Sequence, residues 1–127
     1  MSSSEEDEYQ EPINFVQIEH AIRETSNRIA RGVRICSERY QAFQTAERAY
    51  DAAYARAYLN ADGPAHERKY RAELATQSER EARDVAEASH KYSERQSKAL
   101  ESQLRALQSL GAGLRQQFAV AGIGEGA

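Results

Sequence analysis

The chain has 127 residues, 40% of them hydrophobic and 29% charged, which suffices for one domain at most. The single cysteine, Cys36, excludes an internal disulfide, and the formal net charge of −3 does not imply a strong generic pull on nucleic acid, while leaving room for a local basic patch. No apolar run approaches the roughly 20 residues of a membrane helix, and the acidic N-terminus does not read as a signal peptide, so a reducing, cytoplasmic location is expected.

Residues 1–12 are serine-rich and then acidic, with Glu5, Glu6, Asp7, Glu8 and Glu11 and no base. Such a stretch buries too little apolar surface to order itself and predicts a disordered tail. It is either simply solvated or an acidic arm that screens a basic surface. The remaining 15 acids then face 17 lysines and arginines, a nearly balanced body.

Residues 13–120 predict an all-α fold, an elongated antiparallel two-helix hairpin of coiled-coil type. Pro12 marks its boundary and Asn14 is a candidate N-cap. Helix 1 is expected over about 15–59. Its apolar seam recurs every seven residues at Phe15, Ile22, Ile29, Cys36, Phe43, Tyr50 and Ala57, widened by Ile18, Val33, Tyr40, Ala46 and Ala53. Gly32 inside it costs about 1 kcal/mol relative to alanine and marks either a bend or a close approach. The turn is expected at 60–65, where Asp62 can cap the next helix and Gly63-Pro64 breaks the pattern.

Helix 2 is expected over about 64–118. Its core face reads Leu74, Ser78, Ala82, Val85, Ser89, Tyr92, Gln96, Leu100, Leu104, Leu107, Gly111, Leu114 and Phe118. Residues 121–127, with Gly122, Gly124 and Gly126, predict a flexible tail. Folding back about residues 62–63 brings Ile18 to Leu107 and Phe15 to Leu110. The leucine block thus meets the aliphatic start of helix 1, and Tyr50, Tyr54 and Tyr58 face alanines. The hydrophobic count leans on alanine and tyrosine, so the core is thin. Wide stripes on two helices predict homo-oligomerisation into a helical bundle.

Three groups are candidates for binding. Arg23, Arg28, Arg31, Arg34 and Arg39 crowd the middle of helix 1, and the register sets them beside Lys91, Arg95 and Lys98. Together they form either a basic zone for nucleic-acid backbone or an acidic partner, or a solvated face bridging to a second subunit. Arg105 extends the helix-2 row. However, Glu67–Arg71, Glu79–Arg83, Glu87–Lys91, Glu94–Lys98 and Glu101–Arg105 are acid-then-base pairs four apart, the order that supports a solvated helix. Tyr50, Tyr54 and Tyr58 form an i, i+4, i+8 stripe, read as a binding face or as packing against alanine. Cys36 and His90 lie at similar heights, but two ligands make no zinc site, and Cys36 occupies a core position. No phosphate-binding glycine loop or paired-carboxylate arrangement is present, so no cofactor, metal or catalytic residue is expected.

The run Ala49-Tyr50-Asp51-Ala52-Ala53-Tyr54-Ala55-Arg56-Ala57, the turn at Asp62-Gly63, Glu67-Arg68-Lys69, and Lys98-Ala99-Leu100-Glu101 with Leu107-Gln108-Ser109-Leu110 and Leu114-Arg115 resemble small helical proteins of tailed bacteriophages that infect actinobacteria. The resemblance covers about residues 46–118. It implies an early or accessory phage protein acting in the host cytoplasm and brings no functional residues with it. The secreted helical hairpins with Trp-x-Gly at their turn do not fit, since tryptophan is absent.

The expected function is a non-enzymatic protein-interaction module, acting in DNA metabolism or on a host protein. A nucleic-acid-binding module using the basic zone is the second reading, and a scaffold or assembly chaperone for virion parts is the third.

Overall fold

The computed structural model describes residues 14–125, and the acidic stretch 1–12 lies outside them. Among the described residues the fold is all-helical, with no strand. Three helices follow one another: α1 (Phe15–Asn60), α2 (Ala65–Ala75) and α3 (Gln77–Glu125). The two long helices pack together.

The start of α1 is fixed by a reciprocal cap. The Gln17 amide donates to Asn14 Oδ1 at 2.9 Å, and the Asn14 amide donates to Gln17 Oε1 at 3.1 Å. Two otherwise orphaned donors are thereby satisfied. α1 ends at Asn60, and Gly63 then takes φ 100, a left-handed conformation that glycine adopts without strain. A side chain there would also run into Glu67 Oε2, 2.8 Å from where its Cβ would lie. The N-cap of α2 is Pro64, without a side-chain cap. Asp62 does not cap the helix as the sequence suggests. Its carbonyl instead accepts from Arg71 Nη1 at 2.8 Å, which ties the turn to α2.

The single second helix expected from sequence is two helices. At Thr76 the backbone leaves helical geometry (φ −118, ψ 22) and the amide reaches back three residues to Glu73 O at a long 3.4 Å. The Thr76 hydroxyl donates to the Ala72 carbonyl at 2.7 Å instead. A buried carbonyl that would otherwise lose its partner is thus kept bonded by a side chain. α3 also runs past the glycines to Glu125, where a tail from 121 was expected. Glycine lowers helix propensity by only about 1 kcal/mol, and no proline follows to stop the helix.

Contacts divide the chain into two units. In the first, residues 15–28 of α1 meet 100–125 of α3. The inward residues are Phe15, Ile18, Ile22 and Thr25 against Leu100, Leu104, Leu107, Gly111 and Leu114. Ile18 is 2% exposed, and its Cγ2 lies 3.6 Å from where a Cβ on Gly111 would sit. The expected partner of Ile18 was Leu107, so the true register is one helical turn further along α3. Phe15 meets Phe118 edge-on at 6.4 Å, with the Arg115 guanidinium 5.5 Å from the Phe15 centroid.

The second unit, Ile29–Ala99, holds the turn, α2 and the facing parts of α1 and α3. Its inward positions on α1 are Ile29, Gly32, Cys36, Arg39, Phe43, Ala46, Tyr50, Ala53 and Ala57. On the other side they are Ala72, Thr76, Glu79, Arg83, Ala86, His90, Ser93 and Ser97. Val33 and Tyr40, expected to widen the α1 stripe, are exposed, and Gly32 and Arg39 turn inward in their place. α1 runs unbroken through Gly32, where an added Cβ would lie 3.5 Å from Ser97 Oγ, an ordinary contact.

Candidate functional site

The α3 half of the Ile29–Ala99 unit has two faces at the same three-and-four spacing. The inward one runs Glu79, Arg83, Ala86, His90, Ser93, Ser97. The other, at Ser78, Ala82, Val85, Ser89, Tyr92 and Gln96, was expected to be the core, yet all but the partly covered Ser89 are exposed. Val85 is 64% exposed and Tyr92 59%. The physical reason lies in how close the helices come. Small residues (Ala86, Ser93, Ser97) let the seam close, whereas the larger Val85 and Tyr92 sit one position away and dominate any hydrophobicity reading. Leu74 on α2 is likewise exposed. In the other unit, α3 repeats the arrangement with a shallow groove lined by Ala106, Ser109, Leu110, Gly113, Leu114 and Gln117.

The inward seam of the second unit is polar at its middle. Cys36 Sγ and Ser97 Oγ lie 3.4 Å apart, and Arg39 Nη1 donates to the Ser89 carbonyl at 3.4 Å. Ser93 Oγ donates to the His90 carbonyl at 2.6 Å. The Tyr40 ring tilts over His90 at 5.1 Å, and His90 Nδ1 lies 3.3 Å from Glu94 Oε1. Cys36–Ser97, Arg39–Ser89 and Tyr40–His90 cross between α1 and α3, while Ser93–His90 and His90–Glu94 lie within α3. Among the described residues, no three His, Cys, Asp or Glu side chains converge on a metal-sized site.

The basic residues singled out from the sequence are divided between the two units. Arg23 and Arg28 lie in the first unit and are exposed. In the second, Arg31, Arg34, Lys91, Arg95 and Lys98 are exposed, while Arg39 is drawn into the seam. Arg34 pairs with Glu38 at 3.8 Å and Lys91 with Glu87 at 2.8 Å. Glu87–Lys91 is formed as expected from its spacing; Arg83 turns instead to Asp84 at 3.1 Å, and Glu94 to His90.

Tyr50, Tyr54 and Tyr58 form a ladder with centroids 6.2 and 6.4 Å apart, all half-buried. A spacing of four drifts around the helix, so the ladder leaves the seam at Tyr50 and reaches the surface beside Ala55 and Leu59. Its inner end is covered by the Arg83 guanidinium, 4.8 Å from the Tyr50 centroid. The hydrogen bond to Asp84 raises the Arg83 pKa above its ordinary value. Arg83 Nε and Arg68 Nε are buried without a hydrogen-bond partner. Arg83 was read from the sequence only as half of a surface ion pair; its place in the seam had no signal there beyond spacing.

Among the described residues, no helix is long and apolar enough to cross a membrane. Compared with protein-family models, with curated proteins and with solved structures, the chain matches none of them.

Proposed function

We propose that the chain is a non-enzymatic interaction module: an antiparallel, coiled-coil-like helical hairpin that self-associates into a bundle and docks on a protein partner. The phage resemblance extends the reading to an early or accessory protein in the host cytoplasm, acting in DNA metabolism or on a host protein. The observation that carries the proposal is a thin core with large apolar side chains left outside it. Seven described residues are buried, and of these only Ile18, Ala72 and Leu100 bring hydrophobic side chains. Val33, Leu59, Tyr70, Leu74, Val85 and Tyr92 are each more than half exposed. Scattered exposed apolar groups are ordinary, but Tyr70 with Leu74 on α2 and Val85 with Tyr92 on α3 recur at helical spacing, which marks a helix face suited to a partner.

Size-exclusion chromatography with light scattering, followed by capture of partners on the tagged chain, tests this. A mass above one chain and stoichiometric retention of one protein are expected. A single-chain mass at high micromolar concentration with nothing retained would sink the reading.

A nucleic-acid-binding module is the second reading, favoured by one observation. Arg31, Arg95 and Lys98 are exposed and form no ion pair among the described residues. That reading requires affinity for short DNA that falls steeply with salt and is lost when these three become glutamate.

A further inference from the structure

We propose that the outer face of α3 between Ser78 and Gln96 binds a second copy of this chain, antiparallel, about a twofold axis level with residue 87. The proposal rests on the self-association in the reading above and adds the surface, the direction and the register.

Three features converge on it. First, the stripe is free of charge although the helix is not. Glu79, Glu81, Arg83, Asp84, Glu87, Lys91, Glu94 and Arg95 occupy every other face over this span and leave this one alone. A solvated face has no reason to exclude charge so consistently, whereas a helix–helix seam does. Second, the stripe is complementary to its own reverse. Placing the axis level with residue 87 sets Tyr92 against the partner's Ala82, Val85 against the partner's Ser89 and Gln96 against the partner's Ser78. Every large group meets a small one, as close helix packing requires. A parallel pairing would set Tyr92 against the partner's Tyr92 and leave the small residues facing each other across gaps.

Third, the flanking charges match. In the same register the row one position ahead of Ala82, Ser89 and Gln96 flanks the seam and pairs with itself, so Glu81 lies beside the partner's Arg95 and Ala88 beside the partner's Ala88, and symmetry repeats the charged pair. Glu81 and Arg95 are both exposed, and neither forms an ion pair among the described residues. The same two residues would be like-charge neighbours in no part of this arrangement. Complementary flanking charges are the usual means by which helical pairs choose direction.

Sedimentation equilibrium on the full chain, with far-ultraviolet circular dichroism as a folding control, tests the proposal. The wild type is expected to dimerise. Tyr92→Glu should weaken dimerisation by roughly a hundredfold, as burial of an unpaired charge in an apolar helix seam does. Its helix content should stay unchanged, because Tyr92 lies outside the intrachain seam. Glu81→Arg and Arg95→Glu should each weaken the dimer by roughly tenfold, since each creates two repulsive pairs, and the double variant should recover to within about threefold of the wild type. A dimer indifferent to Tyr92→Glu overturns this surface but leaves self-association standing through another face. Weakening by both single variants without recovery in the double overturns the register. A wild type that stays monomeric overturns both this proposal and the self-association it rests on.

Discussion

The two units are built from the same helices and held by different chemistry. In the unit joining 15–28 to 100–125, Ile18 packs on Gly111 and Phe15 meets Phe118, with Leu100, Leu104, Leu107 and Leu114 turned inward beside them, and burial of apolar groups does most of the stabilising. In Ile29–Ala99 the inward residues are mostly small or polar (glycine, cysteine, serine, threonine, alanine, histidine, glutamate and arginine), with Ile29, Phe43 and Tyr50 as the large apolar ones. Little apolar area is available there, and hydrogen bonds such as Cys36–Ser97, Arg39–Ser89 and Thr76–Ala72 join the interface or keep its buried groups satisfied. Each such bond contributes about 1 kcal/mol net, but leaving one partner buried alone costs more. One unit is therefore fixed by how much it buries and the other by how completely it is bonded.

That contrast can be broken first at Ile18. Ile18→Ala should cost about 3 kcal/mol, read as a lower urea midpoint with an unchanged slope, because the side chain is 2% exposed and Gly111 opposite cannot fill the space. The polar unit should answer to a smaller change. Thr76→Val keeps the shape and removes the hydroxyl that serves Ala72 O, and about 1–2 kcal/mol should be lost in the same measurement. Gly32→Ala sharpens the comparison from the other side. The added methyl meets Ser97 Oγ at an ordinary 3.5 Å, so the helix should gain up to about 1 kcal/mol. A loss there instead would mean that the polar seam tolerates no added bulk. Lys91→Ala, which removes the 2.8 Å pair with Glu87, should cost only about 0.3–0.5 kcal/mol and less in high salt.

The all-helical class and the packing of two long helices were legible from heptad spacing. So was the leucine face from Leu100 to Leu114, where the largest apolar residues are also the inward ones. Upstream the two criteria part. Following size led to Val85 and Tyr92, while the structure keeps strict spacing and turns Ala86 and Ser93 inward. In sequence the error is visible as three successive steps of four, from Tyr92 through Gln96 and Leu100 to Leu104, a hop from one stripe to its neighbour. Arg39 and Arg83 in the seam were not legible, since a charged residue signals surface until its partner is known. The break at Thr76 left no mark either. It needs no glycine or proline, only a hydroxyl able to replace an amide at one carbonyl.

That replacement bears on how the molecule opens. α2 has 11 residues, below the roughly 12–15 at which an isolated helix holds together in water. It is docked chiefly through Ala72, and its last amide bond, from Thr76 to Glu73 O, is a long 3.4 Å before the Arg80 amide takes up the Thr76 carbonyl at 3.0 Å. In native-state hydrogen exchange, its amides should exchange as a separate cooperative unit, earlier than those of the α1 and α3 seams. Limited trypsin digestion should find the same weakness after Arg68, Lys69 or Arg71, cutting the chain there while the long helices still resist.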